Sequence, residues 1–444
     1  MSASIYFNKI FTKKNLKNIY YTNIRYNISP GIDRINKYSF EKNLSQNIEI
    51  IYRKVRNGTY NFSQYREKLL LRGPQKTPRV ISITTIRDKL TQKALLEVLL
   101  SVYSSGMPFL HKIINEVASI IKSGAYDSFL RLDVSNFYPS INHDLLLKEI
   151  RKKIRKTELL HIIENAICQA TVTQPEGKNR NKNAIGVPQG LSISNLLANV
   201  YMMPIDHKHL MVSSYKYFRY VDDILILCSS KDIDIILDVI TKDCDKLGLI
   251  FHDKDEESSK SSSGKISDGL TYLGYFFKDS QISVRKKSVD NLRESIINSF
   301  TNYKYSKSHI VKLLKWNIDL RITGCVFNKT KYGWLFFFSQ IGDLALLKSL
   351  DHFVNKQFKI FNLDPKLIKP KRFMRSFHEI TRNLKRTSYI PNFDKMSIVD
   401  KRKLLSNIFG LNTQKMTEAY INYHFNKRIY RTVKQLERDL VRPS

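Results

Sequence analysis

Apolar residues recur at three- and four-residue spacing over most of the first 66 positions, from Leu16, Ile19 and Tyr20 through Phe40 to Val55, and that period predicts helices. The stretch from Tyr65 to Ile83 reads as strand-rich, Asp88 to Leu110 as helical, and His111 to Lys122 as a second helix. Two short β patterns follow. One, Arg131-Leu132-Asp133-Val134, ends before a turn at Pro139; the other is a pair of apolar runs, Tyr215 to Arg219 and Ile224 to Cys228, flanking Tyr220-Val221-Asp222-Asp223. Strand, carboxylate turn and strand describe a hairpin with Asp222 and Asp223 at its tip. Asp144 to Arg155 predicts an amphipathic helix with Leu145, Leu146, Ile150 and Ile154 on its apolar side, Ser192 to Ile205 a packed helix, and Asp232 to Leu247 a helix over the back of the sheet. Past Ser288 the spacing of Leu292, Ile296, Ile297 and Phe300, then of Ile310, Leu313 and Leu314, is helical again. Asn412 to Val441 closes the chain as a basic helix whose aromatics are assigned to packing. Helices alternating with antiparallel strands make an α+β fold rather than a doubly wound parallel sheet. The divisions expected are residues 1–66, 67–280 and 281–444.

Chemistry enters with the carboxylates. An isolated Asp-Asp pair is ordinarily a solvated turn, but here the flanks are apolar and aromatic, which favours a buried hairpin. Adjacent anions repel and call for a cation. Hard oxygen ligands suit Mg²⁺, which keeps waters and takes one or two carboxylates plus substrate phosphates. Two such ions about 4 Å apart activate an attacking hydroxyl and hold the leaving oxygen of an in-line phosphoryl transfer. The chemistry expected of Asp133, Asp222 and Asp223 is therefore nucleotidyl transfer.

Composition points to a polynucleotide partner. The chain carries 74 Lys and Arg against 40 Asp and Glu, a formal charge of +34. Such an excess favours binding driven by counterion release from a phosphate backbone. Basic runs at Arg151 to Lys156, Arg285 to Lys287, Lys366 to Arg386 and Lys427 to Arg442 are interleaved with stacking aromatics, among 24 Tyr and 24 Phe in all. The longest apolar runs, such as Gly333 to Phe338, fall far short of the ~20 residues that cross a bilayer. Cys168, Cys228, Cys244 and Cys325 show no paired metal spacing and read as reduced thiols, so a cytoplasmic location without membrane contact is expected.

These segments resemble the reverse transcriptase family, whose catalytic pair sits in Tyr-x-Asp-Asp and whose first Asp lies in a strand followed by an aromatic. Further likenesses follow in order. Gly186-Val187-Pro188-Gln189-Gly190, with Ser192, Ser194, Asn195, Leu197 and Asn199, is similar to the family's Pro-Gln-Gly segment, and Thr271-Tyr272-Leu273-Gly274-Tyr275 to its primer-grip hairpin. Lys76 to Ile81 with Thr85 to Gln92 resembles the fingers of bacterial enzymes of the group II intron and retron-like branch; Gly31-Ile32-Asp33-Arg34 with Phe40 resembles that branch's N-terminal extension. The resemblance implies a right-hand polymerase with fingers, palm and a mostly helical thumb.

The same resemblance implies roles. Asp133, Asp222, Asp223 and the Val134 carbonyl would hold two Mg²⁺ ions, with Mn²⁺ as a substitute. Tyr138 would lie under the incoming sugar and leave no room for a 2′-hydroxyl, which implies dNTPs; its other reading is a core aromatic. Gln189 and Gly190 would support the base pair. Arg79 and one of Arg72 or Lys76 would grip the triphosphate. Lys254 would protonate the leaving pyrophosphate, with Lys260 and Lys265 as competitors, and Leu273, Gly274 and Tyr275 would form the primer grip. Partners implied are an RNA template, a structured non-coding RNA in the retron-like case, and a DNA product; a homo-oligomer stays open. Asn195 stands where intron-type enzymes have Pro, and Arg34 replaces a glycine. The segments Arg321 to Phe327 and Lys331 to Phe338 resemble the C-terminal region of defence-associated prokaryotic reverse transcriptases, which implies an antiphage role. The readings held beside an RNA-directed polymerase are a template-independent DNA polymerase, an intron-derived maturase and an RNA-binding scaffold.

Overall fold

The computed structural model describes residues 2–26, 29–71, 77–103, 109–175, 182–252, 261–278, 281–306 and 308–440. The chain divides into two compact units: Met1–Phe109 with Ser128–Gly264, and Leu110–Asp127 with Lys265–Ser444. Arg72, Lys76, Lys254 and Lys260 lie outside the described residues.

The first unit opens on helices Ala3–Ile10, Lys13–Ile19, Lys37–Lys42 and Leu44–Arg56, with one π-helical turn at Tyr20–Ile24. Their apolar period puts Phe7, Leu16, Ile19, Tyr20, Ile48 and Ile51 into one core shared with the helix Ile86–Val102. That helix starts where Thr85 Oγ1 accepts from the Asp88 amide at 3.1 Å, a side-chain cap for an end with no carbonyl partners. Gly31 lies against this start so closely that a Cβ there would come within 2.6 Å of Thr85 Cα. Strands β1 (Tyr65–Leu70), β2 (Arg79–Ile83), β3 (Ser128–Asp133), β4 (Thr171–Val172), β5 (Lys216–Tyr220), β6 (Asp223–Cys228) and β7 (Ser262–Lys265) form two sheets, in the orders β2-β1-β4 and β5-β6-β3-β7. The central pairings are antiparallel, and the two-residue contact of β1 with β4 is parallel. Every residue of β6 is buried, so it reads as a continuous apolar run after its first Asp, while the edge strand β5 exposes Lys216 and buries Tyr217 to Arg219.

Helix Ser194–Leu210 crosses this unit with Leu196 to Met202 buried on every side. Helix His143–Arg151 is capped by Asn142, whose Oδ1 accepts from the Leu145 amide at 3.1 Å, and it turns Leu146, Leu147 and Ile150 inward. Leu145, expected on the apolar side, is only half-buried, because the buried face is one residue out of step with the run of three leucines.

The second unit holds β8 (Leu270–Tyr272), β9 (Tyr275–Lys278) and β10 (Gln281–Val284) as an antiparallel meander, a hairpin of β11 (Cys325–Phe327) and β12 (Thr330–Tyr332), and helices that include Leu110–Ser123, Lys286–Lys304, Val311–Thr323, Leu344–Ile360 and Glu418–Arg438. Leu292, Ile296 and Phe300 are buried as their spacing predicts, but Ile297 and Ile310 are each 39% exposed and lie off the inward stripe. In the last helix Phe425 and Leu436 pack inward, whereas Tyr420 is 51% exposed. Among the described residues, no helix is long and apolar enough to cross a membrane.

Candidate active site

Antiparallel pairing of β3 with β6 sets Asp133 opposite Asp223, and pairing of β5 with β6 sets Tyr220 opposite Asp223. Val221 and Asp222 are therefore the two loop residues of a tight hairpin. The Val134 amide donates to the Asp222 carbonyl at 3.2 Å, which ties the end of β3 to the hairpin tip. Asp133 and Asp223 are 1% and 2% exposed, and Asp222 is partly exposed. Two buried carboxylates thus lie opposite each other at one end of the sheet, with Asp222 in the adjoining turn.

The three do not share one environment. Arg131 precedes Asp133 by two residues and so faces the same side of β3. It grips Asp223 with two hydrogen bonds, Nε to Oδ1 at 2.9 Å and Nη2 to Oδ2 at 2.7 Å. Asp133 instead has His252 Nε2 at 3.6 Å from its Oδ2, and its amide donates to Ser261 Oγ at 3.2 Å. Among the described residues no three His, Cys, Asp or Glu side chains cluster as a metal cage. A bidentate guanidinium engages Asp223, and Asp133 and Asp222 lie at the same end of the sheet. That set fits Mg²⁺, which takes one or two carboxylates and completes its shell with water and phosphate.

Tyr138 and Arg79 lie near this end. Burial, reinforced by the Asp222 charge, pushes the Tyr138 phenol up to about 12, and the Arg79 charge opposes that shift, so all three are electrostatic neighbours. Tyr138 Oη donates to Asn195 Oδ1 at 2.8 Å. The departure at position 195 thus has a structural partner, since a proline there would offer no acceptor. The Pro-Gln-Gly loop is fixed from several sides: the Gly186 amide donates to Ile141 and the Val187 amide to Tyr138, both at 2.8 Å, and the Ser82 amide donates to the Gln189 carbonyl at 2.7 Å. His143 Nε2 donates to the Gly186 carbonyl at 2.7 Å, and Ser194 Oγ to the Pro188 carbonyl at 2.7 Å. Gly190 has a φ of +103°, and a Cβ there would sit 2.8 Å from Ile81 Cγ2, so both conformation and space require glycine.

Leu273, Gly274 and Tyr275 belong to the second unit. Leu273 and Tyr275 are 1% and 0% exposed, and Tyr275 Oη donates to the Phe337 carbonyl at 2.6 Å, so these two side chains are packed into the unit's own core. Gly274, in the turn between them, is buried as well and lies against the Phe338 ring. Residues that sequence reasoning passed over are Arg131, Arg219 and His252. The i, i+2 spacing of Arg131 from Asp133 on one strand face was the signal available for the first.

With this geometry in place the class can be stated: residues 71–277 match the family described as reverse transcriptase (RNA-dependent DNA polymerase) and form a reverse transcriptase domain. Among curated proteins, the chain is 22% identical over 191 residues to protein YkfC of Escherichia coli K12, a match covering 40% of this chain and 49% of that protein. It is 26% identical over 169 residues to the group II intron-encoded protein LtrA of Lactococcus lactis subsp. cremoris, covering 36% of this chain and 28% of LtrA. The chain thus spans about half the length of the first relative and less of the second. Solved structures similar to it include telomerase from Candida albicans in complex with a fragment of telomeric RNA, at 12% identity and a TM-score of 0.45 over 90% of this chain and 66% of that one. Another is apo telomerase from Candida tropicalis, at 14% identity and a TM-score of 0.41 over 82% of this chain and 69% of that one.

Proposed function

We propose that the chain is an RNA-directed DNA polymerase that adds deoxynucleotides to a primer 3′-hydroxyl, or to a protein hydroxyl, on an RNA template. The observation that carries the reading is the register pairing of Asp133 with Asp223, with Asp222 at the tip beside Tyr138. The match of residues 71–277 to the reverse transcriptase family supports it and implies a divalent metal. Asp133, Asp222 and the Val134 carbonyl would hold Mg²⁺ or Mn²⁺, and Asp223, held by Arg131, is the third carboxylate. Two divalent ions, when bound, supply neutralisation of the triphosphate and activation of the attacking hydroxyl. Everything else is work for the protein. Arg79 orients the phosphates, Gln189 and Gly190 back the base pair, and the Tyr138 ring occupies the space a 2′-hydroxyl would need. The hydroxyl attacks the α-phosphorus, the P–O bond to the β-phosphate breaks, and pyrophosphate leaves.

The basic surface implied by a charge of +34 supplies affinity for template and product, with strong salt dependence. A dedicated structured RNA as template and a role in antiphage defence are our reading of the segments Arg321 to Phe327 and Lys331 to Phe338, which resemble defence-associated enzymes. The test uses purified protein with its co-purifying RNA, labelled dNTPs and Mg²⁺. Labelled DNA that disappears on prior ribonuclease treatment supports the proposal, and no incorporation with any RNA overturns it. Phage plating on cells carrying wild-type protein or Asp222→Asn tests the biological setting. Equal plating on the two overturns the defence role.

A further inference from the structure

The hairpin that presents Asp222 is built on an unfavourable residue. Val221 has a φ of +59° while Asp222 does not have a positive φ, the pattern of a two-residue turn that wants glycine at its first central position. A β-branched residue with positive φ is an outlier that persists only when its surroundings fix it. Val221 packs against the core, and a buried side chain bonds its carbonyl. Arg219 Nη1 donates to the Val221 carbonyl at 2.8 Å and to Asn199 Oδ1 at 3.0 Å, and Nε donates to Asp206 Oδ1 at 2.7 Å. Its Nη2 pairs with Asp206 Oδ2, which completes a fork on that carboxylate. Tyr217 Oη adds a hydrogen bond to Asp206 Oδ1 at 3.0 Å.

Arg219 is 6% exposed, so these bonds lie away from solvent, where a planar guanidinium with fixed partners holds its geometry. Asn199 and Asp206 are seven residues apart, on one face of helix Ser194–Leu210. The same helix begins at Ser194, whose Oγ donates to the Pro188 carbonyl of the Pro-Gln-Gly loop at 2.7 Å. One rigid element therefore carries both the loop that backs the nucleotide and the clamp on the carboxylate turn.

We propose that Arg219, anchored on Asn199 and Asp206, is a positioning residue that holds Val221 in its left-handed conformation and thereby sets Asp222 against Asp133 for nucleotidyl transfer. The proposal deepens the polymerase reading and rests on it for its kinetic test. Arg219 touches no reacting atom. Its effect falls on turnover, because a misplaced Asp222 weakens the transition state more than it weakens nucleotide binding.

The experiment measures single-nucleotide addition on an RNA template for wild type, Arg219→Gln, Asn199→Ala and the double variant Arg219→Gln with Val221→Gly. Arg219→Gln is expected to lower kcat at least tenfold with the KM for dNTP changed less than threefold. Asn199→Ala, which leaves the Arg219–Asp206 pair in place and so protects folding, is expected to lower kcat severalfold. Glycine adopts positive φ without being held, so the double variant should recover at least tenfold over Arg219→Gln even though its thermal midpoint does not rise. A folded Arg219→Gln with wild-type kcat, or a double variant no faster than Arg219→Gln, overturns the proposal. If wild type adds no nucleotide at all, the polymerase reading fails and the clamp is judged separately by hydrogen exchange. Faster exchange of the Val134 amide in Asn199→Ala than in wild type then supports the clamp, and unchanged exchange overturns it.

Discussion

Two tight hairpins in this chain solve the same backbone problem in opposite ways. In the second unit, Asn328 and Lys329 both have positive φ, and both of their amides donate to Asp394, to Oδ1 and Oδ2 at 2.7 Å each. An anion there satisfies a concave pair of N–H groups, and asparagine suits the conformation. In the first unit the turn residue is a valine, and the fixing group is a cation on its carbonyl. The structural hairpin leads with asparagine and ties both its positive-φ residues through their amides; the hairpin carrying Asp222 has a valine there, whose carbonyl bonds Arg219, itself anchored on Asn199 and Asp206. Strain of about 1–3 kcal/mol for such a residue is commonly kept where geometry matters for function.

The contrast can be broken at either end. The largest effect is expected from Asp222→Asn, which keeps the turn but removes a charge proposed to bind metal: incorporation should fall by at least about 10³-fold while RNA binding, followed by filter retention, stays within twofold. Retained synthesis would mean that the hairpin tip is not where chemistry happens. Next comes Tyr138→Val. Opening the space the ring is proposed to fill under the sugar should lower discrimination of dNTP over rNTP by about 10–100-fold, read from kcat/KM for matched nucleotides; unchanged discrimination would assign Tyr138 to packing alone.

Asp394→Ala probes the other hairpin. It leaves two amides without their acceptor and should destabilise the second unit by about 1–3 kcal/mol in denaturant unfolding, with kcat unchanged in the protein that remains folded. A specific loss of kcat would show that this turn also serves the reaction. The smallest effect concerns pH. Burial raises the Tyr138 phenol from 10 to about 12, so the folded state prefers the protonated form. That contribution to stability is whole below pH 10 and fades as pH climbs from 10 to about 12. The phenol donates to Asn195 throughout the working range. Tyr138→Phe should therefore leave the shape of the pH–activity profile between 6 and 9 unchanged; a lost ionisation in that window would contradict the assignment.

Much of the first unit was legible because its signals are local. An apolar run on each side of Asp222-Asp223 reads as two strands and a turn, and the three-to-four spacing from Leu16 to Val55 reads as helical, with residues 29–36 as the exception among those described. The α+β class followed from that alternation. The clamp was not legible, because Asn199, Asp206 and Arg219 meet only when helix Ser194–Leu210 lies against β5, and nothing in spacing announces a hydrogen bond between elements. Residues 321–338 were opaque for a related reason. Gly324 and Gly333 interlock at the base of the β11–β12 hairpin, where a Cβ on Gly333 would come within 2.5 Å of Gly324 Cα, and that contact has no periodic signature. Asn195 was visible only as a departure from pattern until its bond with Tyr138 supplied a reason.

The most direct test of the central claim is the sequence of the DNA made by purified protein on two RNA templates of different sequence. The account predicts products complementary to whichever RNA is supplied, lost in Asp222→Asn. Products of the same sequence with both RNAs, or formed equally well with none, would contradict it.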